Sequence, residues 1–235
     1  GLVYFLEHML AAAGEGIAGR DIVVSGAGNV ALHAARKAVE LGARVLTLSA
    51  SDGLLHCAAG LGVADIDRRL DGELRSGAAL RALAERGVGE WLPGRTPWAI
   101  PCHVALPCAT QNELDEDDAG QLAAGGCRFV AEGANMPCTA GALRVFRERG
   151  MLHAPGKAAN AGGVAMSGLE MHQNASFISL PYDELDVQLR AIMERIHRKC
   201  CEHGRREDGA IDYRRGANIA GFTHVARAMI ALGVG

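Results

Sequence analysis

Lysine is scarce: Lys37, Lys157 and Lys199 are the only three in 235 residues, and the formal net charge is −3. Such a chain offers no basic footprint for nucleic acid or for an anionic membrane surface. Paired metal or redox motifs are missing too. No C-x-x-C occurs among the seven cysteines (Cys57, Cys102, Cys108, Cys127, Cys138, Cys200 and Cys201), and no H-E-x-x-H among the nine histidines. An odd cysteine count without ligand spacing points to free thiols in a reducing compartment, against zinc or disulfides, so no metal is expected. No apolar run approaches the ~18–20 residues that span a bilayer. The opening "GLVYFLEHMLAAAG" has no basic region ahead of its apolar part and does not read as a signal peptide. A cytoplasmic location is therefore expected. What is present is ordinary: 49 % apolar and 22 % charged residues, enough for one α/β domain or two small ones.

Leu2 to Ala13 has helical spacing, with Val3, Leu6, Met9 and Leu10 on one face. Asp21 to Ser25 reads as a strand, Asn29 to Leu41 as a helix ended by Gly42, and Arg44 to Ser49 as a second strand. Residues 65–87 look helical but are interrupted by Gly72 and Gly77. Beyond the Pro/Gly-rich "WLPGRTPWAIP", whose Trp91 and Trp98 read as packing residues, His103 to Leu106 is a strand. "NELDEDDAGQLAAGG" is a helix whose first acids suit its dipole, and Arg128 to Ala131 is a strand. Thr139 caps a helix closed by Gly150, and Met151 to Ala154 is the last strand. The tail carries two amphipathic helices. Leu185, Leu189, Ile192, Met193 and Ile196 mark one; Ile219, Phe222, Val225, Met229 and Ile230 mark the other. The alternation predicts an α/β, doubly wound, mostly parallel sheet with helices on both faces.

Residues 26–31, "GAGNVA", fit G-x-G-x-x-A between a strand and a helix. Gly26 permits the tight turn, Gly28 lets backbone approach a pyrophosphate, and Ala31 packs against the strand. The phosphates would sit on amides where Asn29 and Val30 open the helix. An acid is expected about 20 residues on to hold a ribose 2′-hydroxyl. The chain has Ser49, Ala50 and Ser51 there, and Asp52 belongs to a turn with Gly53. Without a carboxylate a 2′-phosphate meets no repulsion and finds the Ser49 and Ser51 hydroxyls. Arg68, Arg69 or Arg75 could add charge, although each taken singly reads as solvated helix surface. NADP is favoured over NAD.

Three further segments follow strands: "LPCATQNEL" (106–114), "AEGANMP" (131–137) and "APGKAANAGGVAMSGLEMHQN" (154–174). Ligands of open α/β sheets bind outside the carboxyl ends of the strands. Small residues with Asn, Gln and Thr can hydrogen-bond a carboxamide, ribose or carboxylate without adding charge. Asn160 is placed to cap a helix from about Ala161, with Val164 and Ser167 on one face of its first turns.

"SGAGNVA", "ALPCATQNEL", "VAEGANMP", "APGKAANAGGVAMSGLEM" and "GANIAGF", in that order, resemble the C-terminal coenzyme-binding domain of glutamate dehydrogenases, most closely the NADP-dependent hexameric type. The resemblance runs over essentially the whole chain. It implies a Rossmann-like fold over residues 1–235, with interdomain helices from roughly 160 to 235. It also implies a homo-oligomer and reversible conversion of L-glutamate and NADP to 2-oxoglutarate, ammonium and NADPH. By the same resemblance Gly26, Gly28 and Asn29 contact the coenzyme, and Ala109, Thr110 and Asn112 lie near its nicotinamide half. Gly133 and Asn135 lie by the nicotinamide ribose and carboxamide. Asn160, Val164 and Ser167 face the substrate, with Ser167 on its distal carboxylate. The family's catalytic lysine and aspartate belong to an N-terminal substrate domain and match nothing here, so no catalytic residue is expected in this chain. A fragment of a larger enzyme is expected, binding NADP without turnover. Two alternatives stay open: a relative acting on leucine, phenylalanine or valine, and a dinucleotide-sensing module without catalysis.

Overall fold

The structure is a computed structural model describing residues 1–71, 77–177 and 179–233. In chain order the helices are α1 (Leu2–Ala12), α2 (Asn29–Glu40), α3 (Val63–Asp71), α4 (Gly77–Glu85), α5 (Glu116–Ala124), α6 (Ala140–Glu148), α7 (Gly156–Ala159), α8 (Ala161–Ser176), α9 (Tyr182–Gly204) and α10 (Tyr213–Ala231). The strands are β1 (Asp21–Val24), β2 (Arg44–Val45), β3 (Thr47–Ala50), β4 (Gly53–His56), β5 (Glu90–Pro93), β6 (Val104–Leu106), β7 (Phe129–Ala131) and β8 (Leu152–Ala154).

Short strands that are apolar at nearly every position bury both faces, and this sets the layers. Among the described residues, β2, β1, β6, β7 and β8 form in that order a five-stranded parallel sheet. Ile22, Val24, Val104, Leu106 and Phe129 join the cluster of α1, α2 and α9 that holds Phe5, Leu6 and Met193. Val23, Ala105 and Val130 point the other way, to Trp98, Leu122 and Phe146 beside α5 and α6. Phe129 and Phe146 are fully buried, and cutting either to alanine should cost about 3–5 kcal/mol. The doubly wound α/β expectation is met. No described helix is long and apolar enough to cross a membrane.

The predicted second strand is the main departure. It stays in the parallel sheet only through Val45, and the Leu46 amide still donates to the Ile22 carbonyl at 2.8 Å. Thr47 then takes over with its side chain: its hydroxyl accepts from the Val24 amide and donates to the Val24 carbonyl, at 2.9 and 3.0 Å. Freed from the ladder, the backbone pairs antiparallel with β4, and β4 pairs with β5. This three-stranded sheet carries no signature in the glycine-rich stretch that encodes it. The helix expected from Asn112 begins only at Glu116. Asp115 caps it and Asp118 closes the capping box, while Leu114 pairs with Cys138. Gly72 lies outside the described residues, and Gly77 opens α4. In the tail, α8, α9 and α10 form, but α10 leaves Phe222, Val225 and Ile230 exposed.

Candidate functional site

The strand order reverses between β1 and β6, which opens a crevice above their carboxyl ends. The turn leaving β1 fills its near side. Gly26 has φ +84°, a conformation side chains avoid, and a Cβ there would lie 3.1 Å from the Ala109 Cα across the crevice. Its amide donates to Ser49 Oγ at 2.8 Å. Ser49 is buried and braces the turn from within, whereas Ser51 is exposed in the β3–β4 turn. Gly28 differs from Gly26. Its φ of −85° suits any residue, and a Cβ on it would meet nothing within 4 Å. Among the described residues nothing requires glycine at 28. What glycine provides is bare backbone before the N-terminus of α2, which no side chain caps. Ala31, fully buried, seats that helix on the sheet.

The far side of the crevice is built by residues without a motif signature. Glu113 Oε1 accepts from the amides of Ala109 and Thr110, at 2.9 and 3.2 Å, and burial pushes its carboxyl above the usual range. Ser25 Oγ accepts from the Cys108 amide at 2.8 Å. Asn112, at φ +56°, donates its amide to the Met136 carbonyl and ties this loop to the next. At Gly133 a Cβ would lie 2.5 Å from Cys108 Sγ, so any side chain there would force the Cys108 side chain to move. Asn160 stands at the cap position of α8, yet its side chain does not cap the helix. Nδ2 reaches back and donates to the Gly133 and Ala134 carbonyls and to Asn135 Oδ1, at 3.2, 3.3 and 3.0 Å. Its role is to hold the 133–135 loop against α8.

A cleft of about 630 Å³ opens beside this turn. Asn29, Val30, Gly133, Asn135, Asn160, Val164 and Ser167 all line it. Val164 and Ser167 stand exposed on one face of α8. The other seven expected residues (Gly26, Gly28, Ser49, Ser51, Ala109, Thr110 and Asn112) do not line the cleft; Gly26 and Ala109 face each other across the crevice. Opposite, Tyr4 donates to Asp186, and the Lys37 ammonium lies 5.7 Å from the Tyr4 ring centroid. Lys157, in the short helix α7, donates to Asn218 of "GANIAGF" and anchors α10.

The charges expected near a 2′-phosphate are arranged otherwise than the sequence suggests. Asp52 sits in the β3–β4 turn as expected, and its carboxylate takes an ion pair from Arg81 at 2.7 Å. The Arg81 guanidinium also lies 5.1 Å from the Trp91 ring centroid. Arg68 pairs loosely with Asp65 at 3.5 Å on α3. The Arg69 side chain and Arg75 lie outside what is described.

A parallel sheet with a glycine turn, an uncapped helix N-terminus and a cleft at its carboxyl edge defines a Rossmann-like, doubly wound α/β protein. Residues 1–233 match the family described as Glutamate/Leucine/Phenylalanine/Valine dehydrogenase, and the chain belongs to that family. It is 50 % identical over 235 residues to the NADP-specific glutamate dehydrogenase of Escherichia coli strain K12, covering all of this chain and 52 % of that protein. It is 44 % identical over 235 residues to the NAD-specific glutamate dehydrogenase of Bacteroides fragilis, covering all of this chain and 53 % of that one. The crystal structure of Plasmodium falciparum glutamate dehydrogenase superposes with a TM-score of 0.92 at 39 % identity, over 98 % of this chain and 50 % of that chain. The chain thus spans about half the length of the curated relatives it matches.

Proposed function

We propose that residues 1–235 are the coenzyme-binding domain of an enzyme that converts L-glutamate and NADP reversibly to 2-oxoglutarate, ammonium and NADPH. The observation that carries this reading is Gly28: the position where a side chain would point is open, at an uncapped helix N-terminus above the strand-order reversal. The residues fit the group. Amides at the start of α2 hold the diphosphate, and Gly26, braced by Ser49, sets their direction. Asn135, fixed by Asn160, offers an amide to the nicotinamide end. Val164 and Ser167 give the cleft an apolar wall and a hydroxyl, suited to a side chain ending in a carboxylate. When bound, the nicotinamide exchanges hydride with the substrate Cα. Acid–base groups come from a substrate domain facing the helices from about 160 to 235, and the parent assembles as a homohexamer in the cytoplasm.

NADP is the proposed coenzyme. Relatives named for NADP and for NAD both stand near this chain, and the Asp52–Arg81 pair offers a partner for either a 2′-phosphate or a 2′-hydroxyl. Separate fluorescence titrations with NADPH and NADH test this. Tighter NADPH binding is expected; equal or tighter NADH binding would overturn the choice. The chain alone is expected to bind NADPH and to form none from glutamate. Robust glutamate-dependent NADPH formation by the chain alone would refute the division of labour.

A further inference from the structure

Ligand spacing in the sequence gives no hint of a metal, yet the fold gathers three donors just beneath the 133–135 loop. Glu132 follows β7, Cys138 directly precedes the Thr139 cap of α6, and His153 is the middle residue of β8. Pairing of Val130 with His153 and of Leu114 with Cys138 brings them together. One ligand atom of each, a carboxylate oxygen, Sγ and a ring nitrogen, all lie within 4.8 Å of one another. Glu132 and Cys138 are buried, at 5 % and 7 % exposure. The geometry is held from outside. Glu132 Oε2 accepts from the Gly156 amide at 2.7 Å, and the His153 ring lies 5.6 Å from that of Phe146, with 30° between planes.

We propose that Glu132, Cys138 and His153 bind a borderline-soft divalent cation of the zinc class. Thiolate, imidazole and carboxylate are the donors such ions take, and a thiolate disfavours magnesium or calcium. Two anionic ligands and one neutral ligand cancel a 2+ charge, so the occupied site is neutral in a place where net charge is costly. Three protein ligands leave one tetrahedral position for water. Without the cation, Glu132 Oε1 and His153 Nε2 share a hydrogen bond at 2.9 Å, and burial pushes the Cys138 thiol up. Binding therefore sends the Cys138 proton to solvent and shifts the His153 proton from Nε2 to Nδ1. Thiolate ligation thus releases a proton, and affinity rises with pH. The ion clamps the ends of β7 and β8 at the base of the cleft, whatever the cleft binds.

The metal-free protein is titrated with Co²⁺ and then Zn²⁺. One equivalent of Co²⁺ is expected to give a thiolate-to-cobalt charge-transfer band that Zn²⁺ abolishes. The band should be absent in Cys138→Ser and binding at least tenfold weaker in His153→Gln. A band that persists in Cys138→Ser, or no one-equivalent band in the unaltered protein, overturns the proposal. A crystal of the unaltered protein soaked in zinc chloride gives a reading that does not depend on how the variants fold. An anomalous peak within about 2.0–2.3 Å of all three ligand atoms is expected; peaks only elsewhere, or none, overturn it.

Discussion

The two ends of the five-stranded sheet are built on opposite plans. At the amino end, charge meets charge. Glu15 accepts from His103 at 2.6 Å, from Arg20 at 3.1 Å and from Arg128, and Asp21 takes Arg44 through two hydrogen bonds of 2.7 Å. Burial opposes the Glu15 charge, but these partners hold its carboxyl below the usual range. At the carboxyl end the turns that face the crevice are built of glycine, alanine, serine and asparagine whose hydrogen bonds run among loops, and Arg36, Lys37 and Asp186 line the cleft beside them. One end satisfies itself; the other leaves Gly28 in open space. The difference separates residues that hold the fold from residues proposed to meet the coenzyme.

The comparison breaks first at Gly28. Gly28→Asp supplies a good helix cap and meets no neighbour, so thermal stability should hold. A carboxylate where the diphosphate sits should weaken NADPH on the order of 100-fold. A parallel drop in melting temperature and affinity would deny the separation. Gly26→Ala should instead damage both properties. Its φ of +84° and the Ala109 contact predict a loss of about 1–3 kcal/mol in stability, measured by urea unfolding, together with weaker NADPH binding.

Acid probes a third region, the helical layer between the ends. Burial, with His8 nearby, pushes the His197 imidazole down to about 4. His197 faces His8, the Tyr213 hydroxyl and Cys201. Because the folded state resists protonation there, stability should fall from pH 6.5 to pH 4, on the order of 2 kcal/mol. Unfolding at stepped pH should show a shallower fall in His197→Gln. The smallest change is expected at the amino end. Glu15→Ala should cost about 1 kcal/mol and leave NADPH affinity unchanged, since its partners are partly solvated.

Much of this was legible in the sequence because a local rule governed it. Apolar strands such as Val23–Val24 and Phe129–Val130 can only lie inside a two-faced sheet, and "GAGNVA" fits one turn geometry. The β3–β4–β5 sheet was not legible, because what peels β3 away is a single hydroxyl, Thr47, bonding to Val24 across 23 residues. Asn160 does stand at a helix start, as its spacing predicts. Its side chain, however, answers to carbonyls 25 to 27 residues earlier, which no cap rule foresees. The Glu132–Cys138–His153 group escaped for the same reason, its partners being set by strand order, whereas Glu113 bonds to amides only three and four residues back, in a loop that no motif marks.

The most direct test is a crystal structure of the protein with NADPH. The diphosphate should lie on the backbone amides that open α2, at residues 28–30, with the nicotinamide reaching the cleft beside Asn135 and Asn160. Coenzyme bound elsewhere, with the N-terminus of α2 left bare, would contradict the account.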